Sequence, residues 1–331
     1  MKPLALRSCL AAQIRRFIDL QRLSGTDYKS QARLLEYFDR FLVEKKVVSP
    51  RMSRRIIDEY QQSLSRLAPR TRYNRSSVVR QLCMYLSRTD PLCYVPEAVR
   101  NISSRTSRQP YIYSRSEVRA LLTAASELPP SDSLRPHTYR TLLGVLYSTG
   151  IRIGEALALN LDDFHEAEQR LYIAEGKFRK ERWTPLSASA ARALHEYVRK
   201  RRRMAPRTPE SPLFLGRQMC RLTHGMVKNV FQRLLTRCDI PRSRHARPCI
   251  HALRHTFAVS RLLAWYRDGQ DVNARLPWLA TYMGHVGIHS TQVYLRATAE
   301  LLDQVDRRFR SYYLNHVKPL EGNHEKHTNL A

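Results

Sequence analysis

The stretch HALRHTFA, residues 251–258, decides how this chain is read. Its apolar and polar positions repeat with helical spacing. Leu253 and Phe257 lie four apart on one side, and His251, Arg254 and His255 fall at i, i+3 and i+4 on another. A helix here anchors itself in a core with one face and gathers two imidazoles and a guanidinium on the next. The scaffold expected around it is therefore helical, and the chemistry is expected on that helix.

A His-x-x-x-His pair is also a spacing used for zinc. The zinc-protease form of that motif needs a glutamate directly after the first histidine, and Ala252 stands there. No third cluster of ligands accompanies the pair, so zinc chemistry is not expected here. Four further segments supply matching chemistry: TGIRIGEALAL (149–159), EGKFRKER (175–182), MGH (283–285) and STQVYL (290–295). With the histidine stretch they assemble Arg152, Lys177, His251, Arg254, His285 and Tyr294. Cations that neutralise a phosphate, next to a hydroxyl able to attack it, are what a nuclease or strand-transfer enzyme needs. Arg152 stands just beyond Gly150 where a helix begins, so its guanidinium joins backbone N–H groups that favour an anion. Glu155 is placed to orient a neighbouring guanidinium. Tyr294 lies nine residues after His285. Its phenol, with an ordinary pKa of about 10, needs a base and nearby cations before it attacks anything. Tyr282, Tyr312 and Tyr313 are its rivals.

The charge points to the same partner. The 331 residues hold 57 Lys+Arg against 29 Asp+Glu, a net +28 with a pI near 10.4. A field of that sign favours a polyanion, and counterion release from nucleic acid would drive much of the binding. Both halves are basic, which suggests two domains that each touch the polyanion. Six cysteines (Cys9, Cys83, Cys93, Cys220, Cys238, Cys249) are scattered without a C-x-x-C pair. With no signal-peptide stretch and no long apolar span, they fit reduced thiols in a cytoplasm, and DNA there implies association with the nucleoid.

The spacing predicts helices from about Ala11 to Leu86, with Ile14, Phe17 and Ile18 on one face and Leu34, Leu35, Phe38 and Leu42 on the next. Ser53 is placed to cap the helix bearing Ile56, Ile57 and Tyr60. Pro69 precedes a basic helix, Arg70 to Leu86, whose apolar content is Val78, Val79, Leu82 and Met84. Arg72, Arg75 and Arg80 either track phosphates from its polar side or form a solvated face. These residues form an expected N-terminal domain, 1–95, followed by a Ser-, Arg- and Pro-rich linker, 96–110. A second domain, 111–315, opens with a capping box at Ser114 and Glu117. It continues through a buried helix, Tyr139 to Ser148, that ends at Gly150. Strand-like runs at Arg170–Ala174 and Arg182–Pro185 read as a hairpin. Helices follow at Ser187–Arg203, Thr223–Cys238, His251–Tyr266 and Leu301–Phe309, then a polar tail, 316–331.

These boxes, in this order, resemble the tyrosine recombinases, the family of phage integrases and Xer chromosome-dimer resolvases. TGIRIGEAL resembles the family's first arginine box, HALRHTFA its His-x-x-Arg-His box, and MGHVGIHSTQVYL the segment leading to the nucleophile. Residues 111–310 are similar to the catalytic domain, and 11–90 more loosely to the helical core-binding domain. Phe178 departs from a usual glycine, Ala252 from a common aspartate and Met283 from a frequent leucine. The resemblance implies a mainly α, two-domain, C-shaped DNA clamp with a small β-sheet or hairpin in the catalytic domain. It implies a site-specific recombinase acting through a 3′-phosphotyrosine and a Holliday junction, in integration, excision or transposition of a mobile element. Four protomers on two duplexes are implied, with room for a second recombinase or accessory factor and no need of a metal or other cofactor. The carried-over roles are Arg152 and Arg254 on the scissile phosphate, assisted by His285. Tyr294 attacks, Lys177 protonates the leaving oxygen with Lys180 as its rival, and His251 accepts the phenolic proton. His255 is left to support the helix or to contact the site from behind the reacting groups. Arg179 joins Arg72, Arg75 and Arg80 as an expected DNA contact. Two other functions compete: a type IB topoisomerase-like relaxation activity, and a DNA-binding regulator without chemistry.

Overall fold

The computed structural model describes residues 5–25, 27–98, 110–174, 181–205, 208, 210–216, 218–241, 247–284 and 294. It divides into two compact units, Met1–Ser107 and Arg108–Ala331.

The first unit is helical. α1 (Ala11–Leu23), α2 (Lys29–Glu44), α3 (Arg54–Ser63) and α4 (Pro69–Leu86) enclose one core built on Ile14, Phe17, Leu35, Phe38, Tyr60 and Leu82. Phe38 meets Tyr60 edge-on at 4.8 Å, the arrangement that aromatic quadrupoles favour. Ser53 caps α3 by accepting the Ile56 N–H. Pro69 begins α4, where its missing N–H costs nothing. One buried face of α4 is Val78, Val79, Leu82, Cys83 and Leu86. Met84, expected with them, is exposed, because it sits off that stripe and instead meets the Arg80 guanidinium at 2.9 Å. Buried Asp39 accepts hydrogen bonds from the Arg7 and Ser8 N–H groups and the Ser8 hydroxyl, fixing the chain entering α1.

The second unit holds α5 (Arg115–Ser126), α6 (Leu134–Thr149), α7 (Ile153–Ala158), a three-stranded antiparallel sheet, then α8 (Ala188–Met204), α9 (His224–Arg237), α10 (Ala252–Arg267) and α11 (Val272–Met283). The sheet runs β1 (Phe164–His165), β2 (Arg170–Ile173), β3 (Arg182–Pro185), with Tyr172 opposite Trp183. The unit is thus mainly α with a small sheet. The Ser114–Glu117 capping box forms at α5. α6 packs against α5, α8 and α10 and is its central buried helix. It ends at Gly150, at φ +65, where a Cβ would stand 2.4 Å from Phe257 Cδ1. A glycine is required there by both backbone and space. Phe257 therefore closes α10 onto the turn that leads to Arg152.

α11 is absent from the sequence expectations. Pro277 lies inside it and Trp278 is exposed, and together they disguise a stripe of Val272, Leu276, Leu279, Ala280 and Met283. Residues 301–309 and 316–331, and the linker residues 99–109, lie outside the described residues.

Candidate active site

Three chain ends converge in the second unit. Gly150 turns α6 into the N-cap of the short helix α7, which is Arg152. α10 begins beside it with His251, Arg254 and His255 on its first turn. α11 ends there at Gly284, in the left-handed region at φ +66.

Arg254 is 2 % exposed and donates to Gly150 O at 2.6 Å and Met283 O at 2.7 Å. Burial, and after it the nearby Arg152, pulls its pKa down to about 10, which still leaves it charged at neutral pH. Arg152 donates to Gly284 O at 2.8 Å and to Glu155 at 2.7 Å. Glu155, also buried, accepts the Arg152 backbone N–H at 2.8 Å. Burial alone would raise its pKa. Hydrogen bonds from Arg182 and Arg152 outweigh that and hold the carboxyl below its ordinary value. The other end of α7 is tied by Arg221, which donates to the carbonyls of Leu157, Ala158 and Leu159 at 2.8, 2.7 and 3.1 Å. A six-residue helix has few bonds of its own, so these two arginines fix it from outside.

Tyr294 is 3 % exposed and lies close enough to Arg254 and Arg152 to feel their charge. Burial raises its pKa, although Arg254 and Arg152 oppose the rise, so the side chain is a neutral phenol at rest. Its hydroxyl lies 2.9 Å from His255 Nδ1. Burial, His251 and Arg254 together push His255 down to about 4, so its ring is neutral and can accept that proton. His251 stands edge-on to His255 with ring centroids 4.8 Å apart. It keeps an exposed edge, yet loss of solvent on its inner side, then Arg254 and Arg152, lower its pKa as well. The histidine touching the phenol is thus His255, expected to support the helix or to stand behind the reacting groups, and not His251, the expected proton acceptor. Both imidazoles share a face, and the reach of His255 across 39 residues to Tyr294 is a tertiary fact that the helical spacing does not carry.

Tyr282, the rival phenol, stacks on Phe257 and donates to Pro185 O at 3.2 Å. Lys177, Lys180, Arg179, His285, Tyr312 and Tyr313 lie outside the described residues. Of the α4 arginines, Arg72 is exposed, Arg75 stacks over Tyr37 at 4.1 Å, and Arg80 donates to Pro96 O at 2.9 Å. The residue that sequence reasoning missed is Arg182, a strand residue inserted between Glu155 and the end of α11. Among the described residues no three His, Cys, Asp or Glu side chains gather as metal ligands would. Nor is any helix among them long and apolar enough to cross a membrane.

This geometry can hold an anion on two guanidinium groups while a buried phenol passes its proton to a neutral imidazole. Residues 113–300 match the phage integrase family. The chain is 32% identical over 300 residues to a putative integrase/recombinase, y4rB, of Sinorhizobium fredii, covering 89% of this chain and 95% of that protein. It is 29% identical over 229 residues to the tyrosine recombinase XerC of Listeria monocytogenes, covering 69% and 67%. Its fold resembles the crystal structure of the XerH site-specific recombinase bound to a palindromic difH substrate, with a TM-score of 0.63 at 20% identity over 85% of this chain and 79% of that one. The chain belongs to the phage integrase family and is, by class, a tyrosine site-specific recombinase.

Proposed function

We propose that this protein breaks and rejoins double-stranded DNA through a 3′-phosphotyrosine at Tyr294. The observation that carries the proposal is the Tyr294 hydroxyl, buried and bonded to His255 Nδ1 at 2.9 Å, close enough to Arg152 and Arg254 to feel their charge. Tyr294 oxygen attacks the scissile phosphorus and its proton passes to His255, with His251 alongside. The P–O5′ bond breaks, and Lys177 protonates the departing oxygen. Arg152, Arg254 and His285 stabilise the charge on the non-bridging oxygens as it grows in the transition state. Attack by a 5′-hydroxyl of a second strand reverses these steps, so the phosphodiester energy is conserved and no external cofactor enters. Paired exchanges by four protomers on two duplexes, through a Holliday junction, would complete recombination.

We assign the first helical domain (1–95) and the linker (96–110) to DNA binding, and 111–315 to catalysis. Arg72 and Arg179 are proposed backbone contacts; Arg75 and Arg80 would have to reach DNA while keeping their partners within the first unit. Integration, excision or transposition of a mobile element is the role proposed, since the family is that of phage integrases and a relative bears the name integrase/recombinase.

The test is to express the full chain in its own host, denature and digest the protein, and sequence DNA ends that retain a 3′ tyrosyl adduct. Wild-type protein should give adducts at a defined site, and Tyr294→Phe none. Adducts from Tyr294→Phe would overturn the assignment. Adducts scattered over any plasmid, with relaxation and no recombinants, would replace recombination by a topoisomerase activity.

A further inference from the structure

Arg182 sits on β3 with its side chain only 12 % exposed, inside the site, at the end of the 175–182 stretch from which Lys177 was the expected contribution. Its Nη2 and Nη1 donate to both oxygens of Glu155, at 2.8 and 3.3 Å, and its Nε donates to Tyr282 O at 3.0 Å. Glu155 in turn holds Arg152 by main chain and side chain. The carbonyls of Tyr282, Met283 and Gly284 thus receive Arg182, Arg254 and Arg152 in turn. Three guanidinium groups cap the carbonyl end of α11, which carries the negative end of the helix dipole. A Cβ at Gly284 would lie 2.9 Å from Arg182 Nη1 and 3.3 Å from Arg152 Nη1, so the two guanidinium groups share one narrow space.

We infer that Arg182 is a positioning residue for strand cleavage: through Glu155 and the Tyr282 carbonyl it sets Arg152 against the end of α11, from which His285 follows. Resting on the strand-transfer function proposed above, it assigns to a strand residue the alignment of Arg152, a group proposed for the phosphate. The fork is essential to it. One ammonium cannot serve both carboxylate oxygens and a carbonyl at fixed angles, so lysine replaces the charge without the geometry.

The experiment is single-turnover cleavage of a duplex carrying the mapped adduct site, by full-length Arg182→Gln, Arg182→Lys, Arg152→Lys and the double variant Arg182→Gln/Arg152→Lys. Thermal melting certifies that each is folded. Misplacing a reacting group by an ångström costs on the order of 100-fold, and that loss is expected for Arg182→Gln at unchanged DNA affinity. Arg182→Lys should recover less than about a tenth of the lost rate. The double variant should be within about threefold of Arg152→Lys alone, because both changes act through one guanidinium. Multiplicative losses, or Arg182→Gln cleaving within about threefold of wild type, would overturn the inference. So would a salt dependence of binding that falls by about one unit of slope, which marks a direct phosphate contact. Tyr294→Phe run alongside separates the cases: adducts from that variant sink the proposed function, whereas their absence with active Arg182 variants sinks only this inference.

Discussion

Replacing Glu155 by glutamine should destabilise the second unit by about 3 kcal/mol at pH 7. The carboxylate is 5 % exposed and receives four N–H groups, two from Arg152 and two from Arg182. Glutamine keeps the size but loses the charge, and it turns one acceptor into a donor facing guanidinium donors. Breaking a buried pair from one side costs about 3–5 kcal/mol. The lower end applies, because the Arg152 and Arg182 side chains are 23% and 12% exposed and recover some hydration. For a unit of this size that corresponds to a fall in Tm of about 6–12 °C. The pH dependence gives the sharper signature. Glu155 has a folded pKa below its unfolded value of about 4.3, so its contribution is complete above that value and disappears as pH falls through the folded pKa. Calorimetric melts of both proteins between pH 7 and pH 3 should therefore show a wide gap that closes at the acid end. A gap under about 1 kcal/mol at neutral pH, or one indifferent to pH, refutes the claim that this carboxylate holds the arginines together.

Gly150→Ala should cost about 2–5 kcal/mol, combining a left-handed backbone with a Cβ driven into Phe257, and urea midpoints measure it. His255→Phe keeps a ring but removes the acceptor, so single-turnover cleavage should fall by roughly 100- to 10,000-fold while DNA binding is retained. The same variant changes the acid response. His255 has a folded pKa of about 4, below the usual histidine value, so folding loses stability as pH drops from about 6.5 towards that value, and His255→Phe should flatten this slope in denaturant titrations.

The placement of this site's described residues was legible wherever it is local in sequence. Arg152 follows a helix-ending glycine, and the spacing of His251, Arg254 and His255 is that of one helix face, as observed on α10. The Ser114 capping box and the β2–β3 pairing were readable for the same reason. What escaped depends on contacts distant along the chain. An arginine in a short strand reads as solvated, and only the 100-residue return to Tyr282 reveals Arg182 as buried. Likewise His251 and His255 are equivalent by spacing, and Tyr294 alone distinguishes them. α11 escaped for a local reason, since proline within a helix breaks the pattern by which helices are recognised.

The charge balance explains why this cluster carries a single acid. Around the end of α11 the described residues place three guanidinium groups, Arg152, Arg182 and Arg254, against one carboxylate, Glu155. A second carboxylate would neutralise the field that draws a phosphate. With none, one buried and two part-buried cations would repel one another, and the fold would carry the cost. One acid leaves a surplus of two positive charges, directed by carbonyls and by Glu155. A phosphodiester brings one negative charge, and its pentacovalent transition state carries two. In the mechanism proposed above, a transition state carrying more negative charge than the bound phosphodiester would gain more from this surplus, the condition under which electrostatics accelerates a reaction rather than merely tightening binding. Arg182 belongs to that balance as much as Arg152 does, although only Arg152 is proposed to meet the phosphate.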